Sequence, residues 1–131
     1  MSKKFNELVR VFDKLNSPQG CKWDRKQTHK SLLKYLKEET QEFIDAVKNE
    51  DVHNMKEELG DILLQVMFHS QIAKKENKFT IDDVIDYLIK KLKRRHPHVF
   101  SKTKVKSVKE IITNWHKIKK MEKMKSDYTD F

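Results

Sequence analysis

The stretch Leu32-Leu33-Lys34-Tyr35-Leu36-Lys37-Glu38-Glu39-Thr40-Gln41-Glu42-Phe43-Ile44-Asp45-Ala46-Val47 decides the fold. At roughly 100° per residue, Leu32, Leu36, Phe43 and Val47 fall on one apolar stripe, the mark of a helix with a buried face. Glu39 falls inside that stripe, Glu42 on its flank beside Tyr35 and Ala46, and Glu38 at its boundary. A carboxylate on a core-facing stripe is costly unless it is protonated, paired with a base or bound to a metal. A single buried Glu is most often half of an ion pair, but here it has company.

The next segment repeats the arrangement. Val52, Met55, Leu59, Leu63 and Val66 form the main stripe of a second helix, with Glu58, Ile62 and His69 on its flank. Asp61 continues that flank, followed one turn later by Gln65. Each helix thus carries acids at i and i+3, which are neighbours on a helical surface: Glu39 with Glu42, and Glu58 with Asp61. A short connection makes the two helices antiparallel neighbours, so the four carboxylates can converge. Oxygen ligands without Cys or a clear His set suit Mg²⁺ or Mn²⁺ better than Zn²⁺. The competing view, two solvated Glu/Lys-rich helices, leaves Glu39 unexplained. Gly60, costly inside a helix, is expected where a ligand or helix approaches closely.

Outward from this pair, the first helix is expected from about Lys3 to Leu15, with Phe5, Leu8, Val9, Phe12 and Leu15 at helical spacing. Asn16 to Gly20 stops it, and Cys21 to Thr28 reads as an ordered loop. The acidic helices run from about Thr28 to Asn49 and from an Asp51 cap to about Lys75. Thr80-Ile81-Asp82-Asp83 resembles a capping box opening a helix that ends at His96-Pro97, and Ser107-Val108-Lys109-Glu110 opens the last. With two Gly, two Pro and no period-two alternation of β-branched residues, the chain reads as all-α: a single-domain bundle of about five helices. Its core spans about residues 5–120, with a frayed tail from about 123 to 131. Leu64 and Phe68 lie opposite the main stripe of their helix, so oligomerisation is expected to complete the bundle there.

The 131 residues carry a formal net charge of +9, which attracts anions such as nucleotides. A basic helical module for nucleic acid or a protein partner would account for that charge but not for Glu39, so nucleic acid is the weaker reading. One cysteine, Cys21, excludes an internal disulfide and fits a reducing cytoplasm. The longest apolar stretch, Ile62 to Phe68, is too short to cross a membrane.

On the fourth helix, Ile81, Val84, Ile85, Leu88 and Leu92 form the apolar face, with Lys91 and Arg95 at its edge one turn apart. These two cations either contact phosphate oxygens or balance the buried acids. Trp23 either stacks on a nucleobase or covers the end of the bundle. Trp115 sits with Ile111, Ile112 and Ile118 and reads as packing. The lysines from Lys102 to Lys125 are most simply a solvated face.

Four motifs in order resemble the MazG family: Gly20-Cys21-Lys22-Trp23-Asp24 with Gln27-Thr28-His29, then Glu38-Glu39-Thr40-Gln41-Glu42, then Glu57-Glu58-Leu59-Gly60-Asp61, then Lys91 through Phe100. Lys22 departs from the Pro usual in the first. The resemblance implies an all-α enzyme that hydrolyses a nucleoside triphosphate to the monophosphate and pyrophosphate, removing non-standard or excess nucleotides. It also implies metal ligation by Glu39, Glu42, Glu58 and Asp61, and a homodimer or dimer of dimers. Glu38, Glu39, Lys91 and Arg95 then stand as catalytic candidates, and Trp23, Lys91, Arg94 and Arg95 as substrate-binding ones. A catalytically weak nucleotide-binding regulator is the alternative within the same family.

Overall fold

The computed structural model describes residues 2–125. Five long helices appear where the periodicity places them: α1 (Lys3–Leu15), α3 (His29–Lys48), α4 (Val52–Lys75), α5 (Ile81–Arg95) and α7 (Val108–Met124). Two short ones were not expected: α2 (Lys22–Lys26), where the sequence reads as a loop, and α6 (Pro97–Phe100), opened by a proline at its first turn. Pro fits there because the first helical N–H groups need no partner within the helix. Among the described residues there is no strand. The frayed tail falls largely outside them, and α7 continues to Met124.

The helix ends follow local chemistry. Thr28 accepts from the Ser31 N–H while the Ser31 hydroxyl accepts from the Thr28 N–H, a reciprocal cap for α3. Asp51 caps α4 through the Asn54 N–H at 3.1 Å. Ser107 caps α7 through Glu110, whose own carboxylate accepts from the Lys106 N–H rather than from the cap residue. Between α3 and α4 the chain turns in three residues. Glu50 takes φ 53°, its N–H donates to the Val47 carbonyl, and the Asp51 N–H donates to Ala46. This is the left-handed helix end usually made with Gly. Asn77 makes the same turn after α4 at φ 57°. Gly20 is required for another reason: a Cβ there would collide with the carbonyl oxygens of Leu15 and Lys14 at the end of α1.

The chain divides into two compact units, Met1–Ile81 and Asp82–Phe131. In the first, α3 and α4 pack against each other and α1 packs on α4. Phe12, Leu32, Met67, Phe68 and Ile72 form its buried core, flanked by Phe5, Leu8, Val9, Tyr35 and Ile81. Phe12 and Phe68 meet edge to face at 5.5 Å. In the second unit, Ile111, Trp115, Ile118 and Glu122 share the covered side of α7.

Two expected stripes are corrected. On α4 the buried side is the one carrying Gln65, Phe68 and Ile72, while Leu59, Leu63 and Val66 stay exposed, at 52%, 40% and 38%. The reason is that α1 covers the side of α4 assigned to a partner, so Phe68 is core and only 7% exposed. Leu64 remains open. On α5, Leu88 and Leu92 are also uncovered, and α5 buries no residue fully.

Candidate active site

Facing turns of α3 and α4 bring together the four acids expected to meet. One oxygen each from Glu39, Glu42, Glu58 and Asp61 lies within 4.8 Å of the other three. Glu39 and Glu58 are half-buried, and each keeps one buried oxygen, Oε2, without a hydrogen-bond partner. Burial is the first cause that pushes the Glu39 carboxyl from 4.5 up to about 7; Glu42, Glu58 and Asp61 add to it. Burial and the neighbouring Glu42 likewise raise Glu58. Crowded acids of this kind favour protons or a cation. Two orphaned carboxylate oxygens beside two further carboxylates fit a hard divalent ion. Glu38 is exposed and lies outside this cluster. Gly60 has open space where a Cβ would stand, so nothing among the described residues makes the close approach expected there.

Trp23 rests edge to face against Tyr35 at 5.9 Å and Phe68 at 6.2 Å. It therefore caps the hydrophobic core while one side stays open. Farther along the seam, His29 and His69 stand with rings parallel and their Nδ1 atoms 2.8 Å apart. Burial, then the His29 charge, lowers the pKa of His69. His29 lies in the loop motif, but nothing in the spacing pairs it with a residue forty positions away.

In the second unit Lys91 is half-buried at the end of α5. Arg94 and Arg95 converge on one carboxylate, Glu122. Glu122 is 3% exposed, and the two guanidinium groups hold its carboxyl down at about 2, Arg95 contributing most. The Arg95 guanidinium also lies over the Trp115 ring at 5.2 Å. The contacts of Trp115 are thus with a cation and with His96, whose ring it meets edge to face at 5.2 Å. Glu122 escaped the sequence reading although its signal was available: Ile111, Trp115, Ile118 and Glu122 repeat the pattern of an acid on an apolar stripe. It was hidden by lying next to the expected frayed tail.

Residues 27–100 match the model of the MazG nucleotide pyrophosphohydrolase domain. The chain belongs to the MazG family. It is 54% identical over 121 residues to the nucleoside triphosphate pyrophosphohydrolase/pyrophosphatase MazG of Thermotoga maritima, an alignment covering 92% of this chain and 46% of that protein. To a nucleoside triphosphate pyrophosphohydrolase of Escherichia coli it is 37% identical, with the same coverage of each. The MazG chain therefore spans less than half the length of these two relatives. A solved structure, the crystal structure of a mazG-related protein from Thermotoga maritima, superposes with a TM-score of 0.72 at 27% identity. That superposition covers 91% of this chain and 99% of the other. No helix among the described residues is long and apolar enough to cross a membrane.

Proposed function

We propose that this MazG chain hydrolyses nucleoside triphosphates to the monophosphate and pyrophosphate with Mg²⁺, Mn²⁺ being a possible substitute. The observation that carries the reading is the cluster of four carboxylates, two of them with buried, unpartnered oxygens. Glu39, Glu42, Glu58 and Asp61 would hold the ion. When bound, it would polarise phosphate oxygens and lower the pKa of water. The residues of the chain do the rest. Glu38, next to Glu39 but outside the four, is assigned to orienting water. Lys91, Arg94 and Arg95 are assigned to phosphate oxygens, where charge-assisted contacts are strongest, and the open side of Trp23 to the nucleoside. The two units, both crossed by the family match, would act as one functional domain.

The expected setting is the cytoplasm and the expected task is removal of non-standard or excess nucleotides. The assembly proposed is a homodimer or dimer of dimers, supported by the exposed row Leu59, Leu63 and Val66 on α4. Incubation with individual triphosphates and Mg²⁺, followed by identification of the phosphate products, tests the chemistry. Equimolar monophosphate and pyrophosphate are expected; orthophosphate with diphosphate, or no turnover of any triphosphate, would overturn the reading.

A further inference from the structure

Glu122 accepts from Arg94 Nε at 2.7 Å, from Arg95 Nε at 3.2 Å and from Arg95 Nη2 at 2.7 Å. A carboxylate this buried ordinarily accompanies one cation, and here it gathers two that are adjacent in sequence. Adjacent helical residues project about 100° apart, so Arg94 and Arg95 would diverge without a common partner. The contact to Arg95 is side-on. It uses two of the roughly five N–H donors of a guanidinium and leaves Nη1 unengaged by Glu122. The same guanidinium lies over the Trp115 ring, its carbon 5.2 Å from the ring centre. An Arg held on one edge and one face has lost most of its rotamer freedom before any ligand arrives, and prepaid ordering is what tightens binding.

We infer that Glu122 is the positioning residue for the phosphate-binding arginines, leaving Nη1 of Arg95 for the triphosphate. This rests on the assignment of Arg95 to phosphate. The opposing expectation is that a carboxylate beside two cations simply competes with phosphate for them. Geometry decides against that view: Glu122 occupies one edge of Arg95 and leaves another, whereas a competitor would occupy the donors a phosphate needs.

Glu122→Gln keeps the volume and one acceptor but aims an amide NH₂ at one guanidinium. Binding of inorganic tripolyphosphate with Mg²⁺ is measured by calorimetry, and KM and kcat with a turned-over triphosphate, per folded molecule. We expect tripolyphosphate affinity to fall and KM to rise about tenfold in Glu122→Gln, the scale of one charge-assisted contact, with Mg²⁺ affinity unchanged. Glu122→Asp, which keeps the charge, should recover part of the loss. In an Arg94→Ala/Arg95→Ala background the Gln substitution should add nothing, since the groups it orients are gone. A lowered melting temperature with unchanged tripolyphosphate affinity and KM would make Glu122 a structural ion pair only. Tighter binding in Glu122→Gln would make it a competitor. If Arg94→Ala/Arg95→Ala itself leaves KM and affinity unchanged, the assignment of the arginines to phosphate fails, and the inference with it.

Discussion

Replacing Glu39 by Gln separates the cost of the acidic cluster from its use. Without metal, the folded protein holds a proton on Glu39 up to about pH 7, against 4.5 for a free carboxyl. Between those values unfolding releases that proton, so stability falls as pH rises through the window and the penalty is complete above it. Converted in full, the difference is roughly 3 kcal/mol. Solvent reaches this half-buried group, and the effect is shared with Glu42 and Glu58, so a gain of about 1–2 kcal/mol is expected from the neutral amide. In a protein of this size that raises the melting temperature by about 3–8 °C. The assay is thermal unfolding of both proteins at pH 8 and pH 5 with a chelator, repeated with excess Mg²⁺. The variant should melt higher at pH 8 and level with wild type at pH 5, where Glu39 is already protonated. Mg²⁺ should raise wild type, by about 2.7 kcal/mol at a hundred times its dissociation constant, and leave the variant nearly unmoved. Turnover should be mostly lost in the variant. A metal-free variant melting at or below wild type at pH 8 would refute the reasoning, because the four acids would then not be crowded.

Leu63→Lys should convert an oligomer to monomers by light scattering at micromolar concentration, with the monomer still helical, because Leu63 contributes little inside one chain; a monomeric wild type would remove the assembly proposal. Thr28→Ala should cost about 1 kcal/mol in denaturant titration by removing one half of the α3 cap, with no change in Mg²⁺ affinity; a loss well beyond 2 kcal/mol would mean that the cap supports more than its helix.

The acidic helices were legible because helical period and residue type agree: Glu39 breaks the stripe of α3, and only a helix makes that break visible. The side of α4 that faces the core was misread for a related reason. The segment Ile62 to Phe68 is apolar on every side but that of Gln65, so periodicity cannot say which side α1 covers. The short helices α2 and α6 are set by a few local hydrogen bonds and, in α6, a proline, below the length at which a period registers. The pairings of His29 with His69 and of Glu122 with two arginines bridge forty and about twenty-eight positions. Such distances are settled by packing and leave only indirect marks in a single sequence.

The three-residue turn after α3 has a consequence for how such a chain can vary. Its left-handed residue, Glu50 at φ 53°, is not a glycine, so identity at the turn is negotiable. Its length is not. One added residue, if taken up into the first turn of α4, would advance the helix by about 1.5 Å and rotate it by about 100°, carrying Glu58 and Asp61 away from Glu39 and Glu42 while every side chain stayed the same. Drift by substitution can therefore pass through Glu50 more easily than through Asp51, which caps α4, whereas a single-codon insertion or deletion taken up by the helix would dismantle the cluster at one stroke. The connector is the gauge block of the site: it contributes no ligand, yet it sets the distance at which the four ligands meet.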